Sequence, residues 1–88
     1  MSVSPAIDAA VRAILRDTLG LSEQRAAALA DDTPLFGAMP ELDSMAVANL
    51  LGEMEDRLGF RIEDDEVNGD MLETFGALAR FAAAKAQA

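Results

Sequence analysis

Two apolar stripes at helical spacing, each opened by a capping side chain and closed by a glycine, limit most strongly what this chain can fold into. The first consists of Ile7, Val11, Ile14, Leu15 and Leu19, three or four residues apart, as one face of an α-helix requires. Ser4 offers a capping hydroxyl, Pro5 stands where a missing N–H costs nothing, Asp8 lies near the positive end of the helix dipole, and Gly20 marks the stop. The second stripe, Val47, Leu50, Leu51, Met54 and Leu58, begins with Asp43 as cap and Ser44 as first helical residue, and ends before Gly59. A last helix starts near Thr74 and buries Phe75, Leu78, Phe81 and Ala82, with the tail "AAAKAQA" expected to fray.

Between these helices the chain is less regular. "LSEQRAAALADD" predicts a short helix capped by Ser22, whereas "TPLFGAMPELD" holds two prolines and a glycine and cannot continue it. A connection this long needs anchors, and Leu29, Leu35 and Phe36 are the expected ones. "EDDEV" predicts one short helical turn that "NGD" breaks. No stretch alternates as a strand would. The expected fold is therefore all-α, a four-helix bundle with three longer helices, one short third helix and a long first loop. It forms a single domain over residues 1–88, the size at which one hydrophobic core becomes adequate. Apolar residues make up 51%, but eighteen of them are alanines, so the core must rest on Leu, Ile, Val, Met and Phe. Gly52, inside the second stripe, costs about 1 kcal/mol against alanine. Its presence suggests either a close approach there or a position never optimised.

Cysteine and histidine are absent, which removes disulfides, thiolate nucleophiles, imidazole bases and the usual zinc and iron sites. The amino end lacks the unbroken apolar run of a signal peptide, because Asp8, Arg12, Arg16 and Asp17 interrupt it. No other run approaches membrane-spanning length, so a cytoplasmic protein without membrane insertion is expected. The net charge is −9, and it is local: residues 41–73 hold eleven acids and two bases, while the rest of the chain balances to zero. Nucleic acid would be repelled by such a surface, and basic protein surfaces are the expected partners.

Three constellations can be tested against this background. "DDEVNGDMLETF" starts like a calcium-binding loop, with Asp64, Glu66, Asn68, Gly69 and Asp70 in register, but its twelfth place is Phe75 where a bidentate glutamate is required. An acidic turn before a hydrophobic helix start explains it better, and no metal site is expected. Paired carboxylates for acid/base chemistry are plentiful, yet they fall on expected exposed faces and turns, where no pKa is pushed toward neutrality. Ser44 fails as a hydrolytic nucleophile: there is no histidine, the single lysine is Lys85 in the tail, and no G-x-S-x-G elbow surrounds it. No enzymatic activity is expected. What remains for Ser44 is an ordinary place in a helix start, or a role as acceptor of a group attached by another enzyme. A phosphodiester on its hydroxyl would meet free backbone N–H groups and the positive dipole. Glu41 and Asp43 place negative charge close by, which suits a covalently held phosphate better than a free one.

"LDSM" at the head of the second stripe resembles the Asp-Ser-Leu motif of the acyl carrier protein family. The upstream "DDTPLFG", the apolar spacing onward, "GFRIEDDEV" and the Thr-led last helix are similar too, so the likeness spans nearly the whole chain. It implies 4'-phosphopantetheine on Ser44, with Asp43 as its motif partner, attached by a phosphopantetheinyl transferase. The arm's thiol would carry acyl or aminoacyl groups as thioesters, so the chain needs no cysteine of its own. Acyl-loading and acyl-transfer enzymes with basic patches would dock on Glu41, Met45, Glu53, Glu55, Asp56, Asp64, Asp65 and Glu66. A sheltered acyl chain would lie among Met45, Val47, Leu50, Met54, Ile62 and Phe75. Met45 stands where leucine is commoner, and Ala46, Ala48, Asn49 and Gly52 leave the first turns of the helix less charged than in many fatty-acid carriers. "GAMPELDSM" is similar to specialised freestanding carriers, including ones associated with exopolysaccharide or exosortase gene sets. The expected state is a monomer. The alternative is a noncatalytic acidic module that binds a basic partner with no prosthetic group and has no need of Ser44.

Overall fold

Each of the three long helices begins where a short polar side chain takes up an otherwise free backbone amide. In the computed structural model, which describes residues 3–87, Ser4 Oγ accepts from Ile7 N at 3.2 Å and opens α1 (Pro5–Leu19). After the short α2 (Glu23–Ala28), capped by Ser22, Asp43 Oδ1 accepts from Ala46 N at 2.8 Å and opens α3 (Ser44–Leu58). Thr74 Oγ1 accepts from Ala77 N at 3.0 Å and opens α4 (Phe75–Gln87). Gly20 (φ 68°) and Gly59 (φ 74°) end α1 and α3 in the left-handed conformation that glycine adopts without steric cost.

The expected short third helix is two 3-10 turns, Asp64–Glu66 and Asp70–Leu72, separated at Asn68 and Gly69. The tail does not fray through Gln87. Ala82 and Ala83 are buried, and Lys85 is tied to Glu66 at 2.8 Å, so α4 continues where alanine-rich composition alone gave no tertiary anchor. The last residue lies outside the described region.

The core collects Val11, Ile14 and Leu15 from α1, Leu50 and Met54 from α3, and Phe75, Leu78, Ala79 and Ala82 from α4. The long connection adds Leu21, Leu29, Leu35 and Leu42. Phe36 is a correction: expected to pin the connection, it is 50% exposed. The N–H of Leu35 donates to Glu73 O and that of Phe36 to Leu72 O, beside an isolated antiparallel bridge between Pro34 and Thr74. Past the bridge the chain turns at Phe36–Ala38, closed by Ala38 N and Met39 N on Leu35 O, and Leu35 is buried while Phe36, the first residue of that turn, faces outward. The buried anchor nearer Ser44 is Leu42.

Two further features hold the connection down. Phe75 N and Gly76 N donate to the carbonyls of Thr33 and Asp31, each at 2.9 Å, so the loop satisfies the first amides of α4. Arg12, which in sequence only interrupts an apolar stripe, donates to Ala26 O at 2.6 Å and Leu29 O at 2.8 Å, pairs with Asp8, and stacks 4.6 Å from the Phe75 ring centroid. One guanidinium thus joins α1, the end of α2 and the start of α4.

Candidate functional site

Six hydroxyl side chains lie in the described region, and five are committed to local structure. Ser4, Ser22 and Thr74 cap helices, Thr33 accepts from Ala30 N, and Thr18 donates to Ile14 O. Ser44 is the sixth, and its Oγ has no hydrogen-bond partner among the described residues. The reason is local: Asp43 performs the capping, which places Ser44 at the first helical position with an exposed side chain and an idle hydroxyl. The amides of Ser44 and Met45 begin the helix and have no acceptor among the described residues.

Ser44 stands at the junction of two clefts. One, about 270 Å³ and almost wholly apolar, runs from Ser44 past Val47 and Leu72, with Phe36 on one side and Val67, Asn68 and Gly69 on the other. The other, about 390 Å³, follows the connection from Phe36 and Gly37 through Met39 and Pro40 to Asp43. A larger open depression of about 590 Å³ lies between Asp17 and Thr18 of α1 and the polar face of α3 around Asn49 and Gly52, but it does not reach Ser44. An apolar channel starting at a free, exposed hydroxyl fits a long flexible group attached to that oxygen. Neither Glu41 nor Asp43 lines this channel.

Of the side chains expected to line an acyl pocket, Val47 borders the apolar cleft. Leu50, Met54 and Phe75 lie in the filled core behind it, and Ile62 is half-buried against that core. Met45 is 78% exposed and lies outside the cleft. Two residues before Val47, it sits about 200° away around the helix, so both cannot face the interior. Phe36, Val67 and Leu72 were not singled out for this cleft in the sequence. Phe36 and Val67, with Met45, are the large apolar side chains left exposed among the described residues, and all three surround Ser44.

The acids separate into two groups. Glu41 pairs with Arg25, Glu53 with Arg57, which also reaches Asp17, and Glu55 accepts from Ile62 N at 2.8 Å. Glu66 accepts from both Lys85 and Glu63 N. These four are half-buried and have structural duties. Asp56, Asp64 and Asp65 are exposed and form no ion pair among the described residues. The guanidinium of Arg25 holds the Glu41 carboxyl below the usual range, and the Lys85 ammonium does the same for Glu66. Asp17 is lowered by Arg57 and Arg16. All three shifts run away from neutrality, the wrong direction for a general acid. No group of three or more His, Cys, Asp or Glu among the described residues is placed to hold a metal ion, and Phe75, at the place a calcium loop needs its glutamate, is core. No helix in the described region is long and apolar enough to cross a membrane.

Residues 9–82 match the family model described as phosphopantetheine attachment site. No curated protein matches the sequence significantly. Among solved structures, the chain is similar to the solution structure of a holo acyl carrier protein from Nitrosomonas europaea, at 39% identity and a TM-score of 0.84. That match covers 97% of this chain and 100% of the other. A module without a prosthetic group is thereby set aside. With a free hydroxyl at the head of α3, an apolar channel beside it and a family match over most of its length, the chain belongs to the phosphopantetheine-attachment family, as a noncatalytic acyl carrier protein that bears a phosphopantetheine arm.

Proposed function

We propose that Ser44 is the attachment residue and that the chain acts as a single carrier domain and a monomer in the cytoplasm. The observation that carries this reading is the unpartnered Ser44 Oγ beside the apolar cleft. In the attachment step a phosphopantetheinyl transferase moves 4'-phosphopantetheine from coenzyme A to Ser44 Oγ. A P–O bond forms to Ser44 Oγ while the pyrophosphate P–O bond of coenzyme A breaks, adenosine 3',5'-bisphosphate leaves, and the hydroxyl proton goes to a base on the transferase, this chain having no histidine. The free amides of Ser44 and Met45 and the positive end of the helix dipole would favour the negative charge of a phosphodiester on Ser44. When bound, the arm supplies a thiol that holds acyl groups as thioesters and raises their local concentration at each enzyme visited.

The rest of the site serves that arm. Phe36 and Val67 flank the channel, Val47 and Leu72 form its floor, and an acyl chain would enter the core between them, displacing Met54 and its neighbours with the adaptability of methionine. Acyl-loading and acyl-transfer enzymes with basic patches meet Asp56, Asp64 and Asp65 first, because these carboxylates are free, and then Glu41, Glu53, Glu55 and Glu66, which are already engaged. Met45 gives such a partner an apolar contact next to Ser44. Charge of this kind speeds encounter more than it tightens the complex, as a carrier that must let go requires.

The test is modification in solution. Incubated with coenzyme A and a promiscuous transferase, the wild-type protein should gain one phosphopantetheine by intact mass, and Ser44→Ala should gain none while keeping its helical spectrum. A Ser44→Ala protein that is still modified removes the proposal.

A further inference from the structure

We propose that the Glu66–Lys85 ion pair is a latch on the outer wall of the Ser44 cleft, and that a partner's arginine or lysine opens that wall by drawing Glu66 away from Lys85. The inference rests on the reading of Ser44 as attachment residue for its purpose, though not for its mechanics.

Val67, Asn68 and Gly69 form that wall, and they directly follow Glu66. Residues 63–70 bury no side chain. Their hydrogen bonds are local to the segment or its immediate continuation: Glu66 N and Val67 N donate to the carbonyls of Glu63 and Asp64, and Met71 N donates to Asn68 Oδ1. One bond leaves the segment for another element, from Lys85 Nζ on α4 to Glu66 Oε1 at 2.8 Å. The wall is therefore fixed at its ends, by Ile62 N on Glu55 Oε2 and by buried Met71 and Leu72, and in its middle this pair is the one polar tie to another element among the described residues.

The pair is built to exchange. Its side chains keep 22% and 31% of their exposure, and ion pairs with this much solvent contribute little, so breaking one is cheap. Glu66 Oε1 also accepts from Glu63 N at 2.9 Å, so the carboxylate is not orphaned when Lys85 leaves. Asp64 and Asp65, exposed on the same turn and without ion pairs among the described residues, offer a visiting cation two more carboxylates than Lys85 has on its own side. An arriving guanidinium can engage carboxylate in two parallel hydrogen bonds, which an ammonium cannot match. Docking on the acidic turn and loosening of the cleft wall thus become one event.

The experiment uses the unmodified protein and NMR. Lys85→Met keeps a good helix former with a similar stem, and Glu66→Gln keeps the acceptor for Glu63 N. Either should speed amide exchange at Glu66, Val67 and Leu72 by about two- to fivefold, the range an exposed ion pair supports, with Leu50 in the core unchanged. The double variant should be no faster than either single one. Titrating wild type with tetra-arginine should shift the Val47, Val67 and Leu72 methyl signals as Lys85→Met does, with no further shift in that variant. The latch is overturned by unchanged exchange, by acceleration spread equally through the core, by additive single effects, or by peptide binding that leaves those methyl signals in place. Because no arm is present, any of these outcomes leaves attachment to Ser44 to be decided by mass alone.

Discussion

Residues 30–43 and 60–73 are stretches of equal length that approach Ser44 from opposite sides, and they are held in opposite ways. The first is sewn down by backbone: Leu35 N and Phe36 N donate to Glu73 O and Leu72 O, Phe75 N and Gly76 N donate to Thr33 O and Asp31 O, and Leu35 and Leu42 are buried beneath this seam. The second is anchored at its ends and, among the described residues, tied in the middle by one side-chain ion pair. Composition explains the difference, since "TPLFGAMPEL" alternates anchors with turn formers, whereas "EDDEVNGD" offers a single apolar residue. Under the proposals above, the first wall would orient the arm on Ser44 and the second would yield to it.

The contrast breaks if the two walls respond alike to truncation. Leu35→Ala should cost about 3 kcal/mol in urea unfolding, as fully buried leucines do, while Val67→Ala should cost less than about 0.5 kcal/mol. Comparable losses would mean that the second wall is as well packed as the first.

Two glycines sharpen it next. A Cβ on Gly76 would lie 2.2 Å from Asp31 Oδ1 and 2.6 Å from Asp31 O, so the seam closes only over glycine. Gly76→Ala should destabilise by about 2 kcal/mol through overpacking, and a neutral result would show that the loop yields easily. Gly52, by contrast, has nothing within 4 Å of a would-be Cβ. The close approach that its place in α3 suggested does not come from this chain. Gly52→Ala should therefore stabilise by up to about 1 kcal/mol. A loss of stability there would overturn the assignment of open space.

The smallest effect concerns pH. Lys85, and then the Glu63 N–H, keep the Glu66 carboxyl below its ordinary value, so the folded state takes up that proton later than the unfolded chain does. The contribution is present above the ordinary glutamate value of about 4.3 and fades as pH falls through the lower folded value. Followed by carboxyl-carbon NMR, Glu66 should titrate below its ordinary value in wild type and move up toward it in Lys85→Met. An unchanged midpoint would show that Lys85 does not act on it.

Much of this was legible in the sequence. Helical spacing, Ser4, Asp43 and Thr74 as caps and Gly20 and Gly59 as stops located α1, α3 and α4, because capping chemistry is local. The direction in which Phe36 points was not legible, since only the pairing of 34–36 with 72–74 decides which of two adjacent apolar residues is buried. Arg12 as a clamp and Gly76 as a close approach depend on partners many residues away. Met45 shows a limit of hydrophobicity as a guide: helical phase, not apolar character, decided its exposure. The free Ser44 hydroxyl was foreshadowed by Asp43, which occupies the cap so that the serine need not.

The most direct test of the account is the position of the arm. Tandem mass spectrometry of the protein after reaction with coenzyme A and a transferase should place the phosphodiester on Ser44 and leave Ser4, Thr18, Ser22, Thr33 and Thr74 unmodified. An arm on any of those engaged hydroxyls, or a chain that takes up no arm at all, would contradict it.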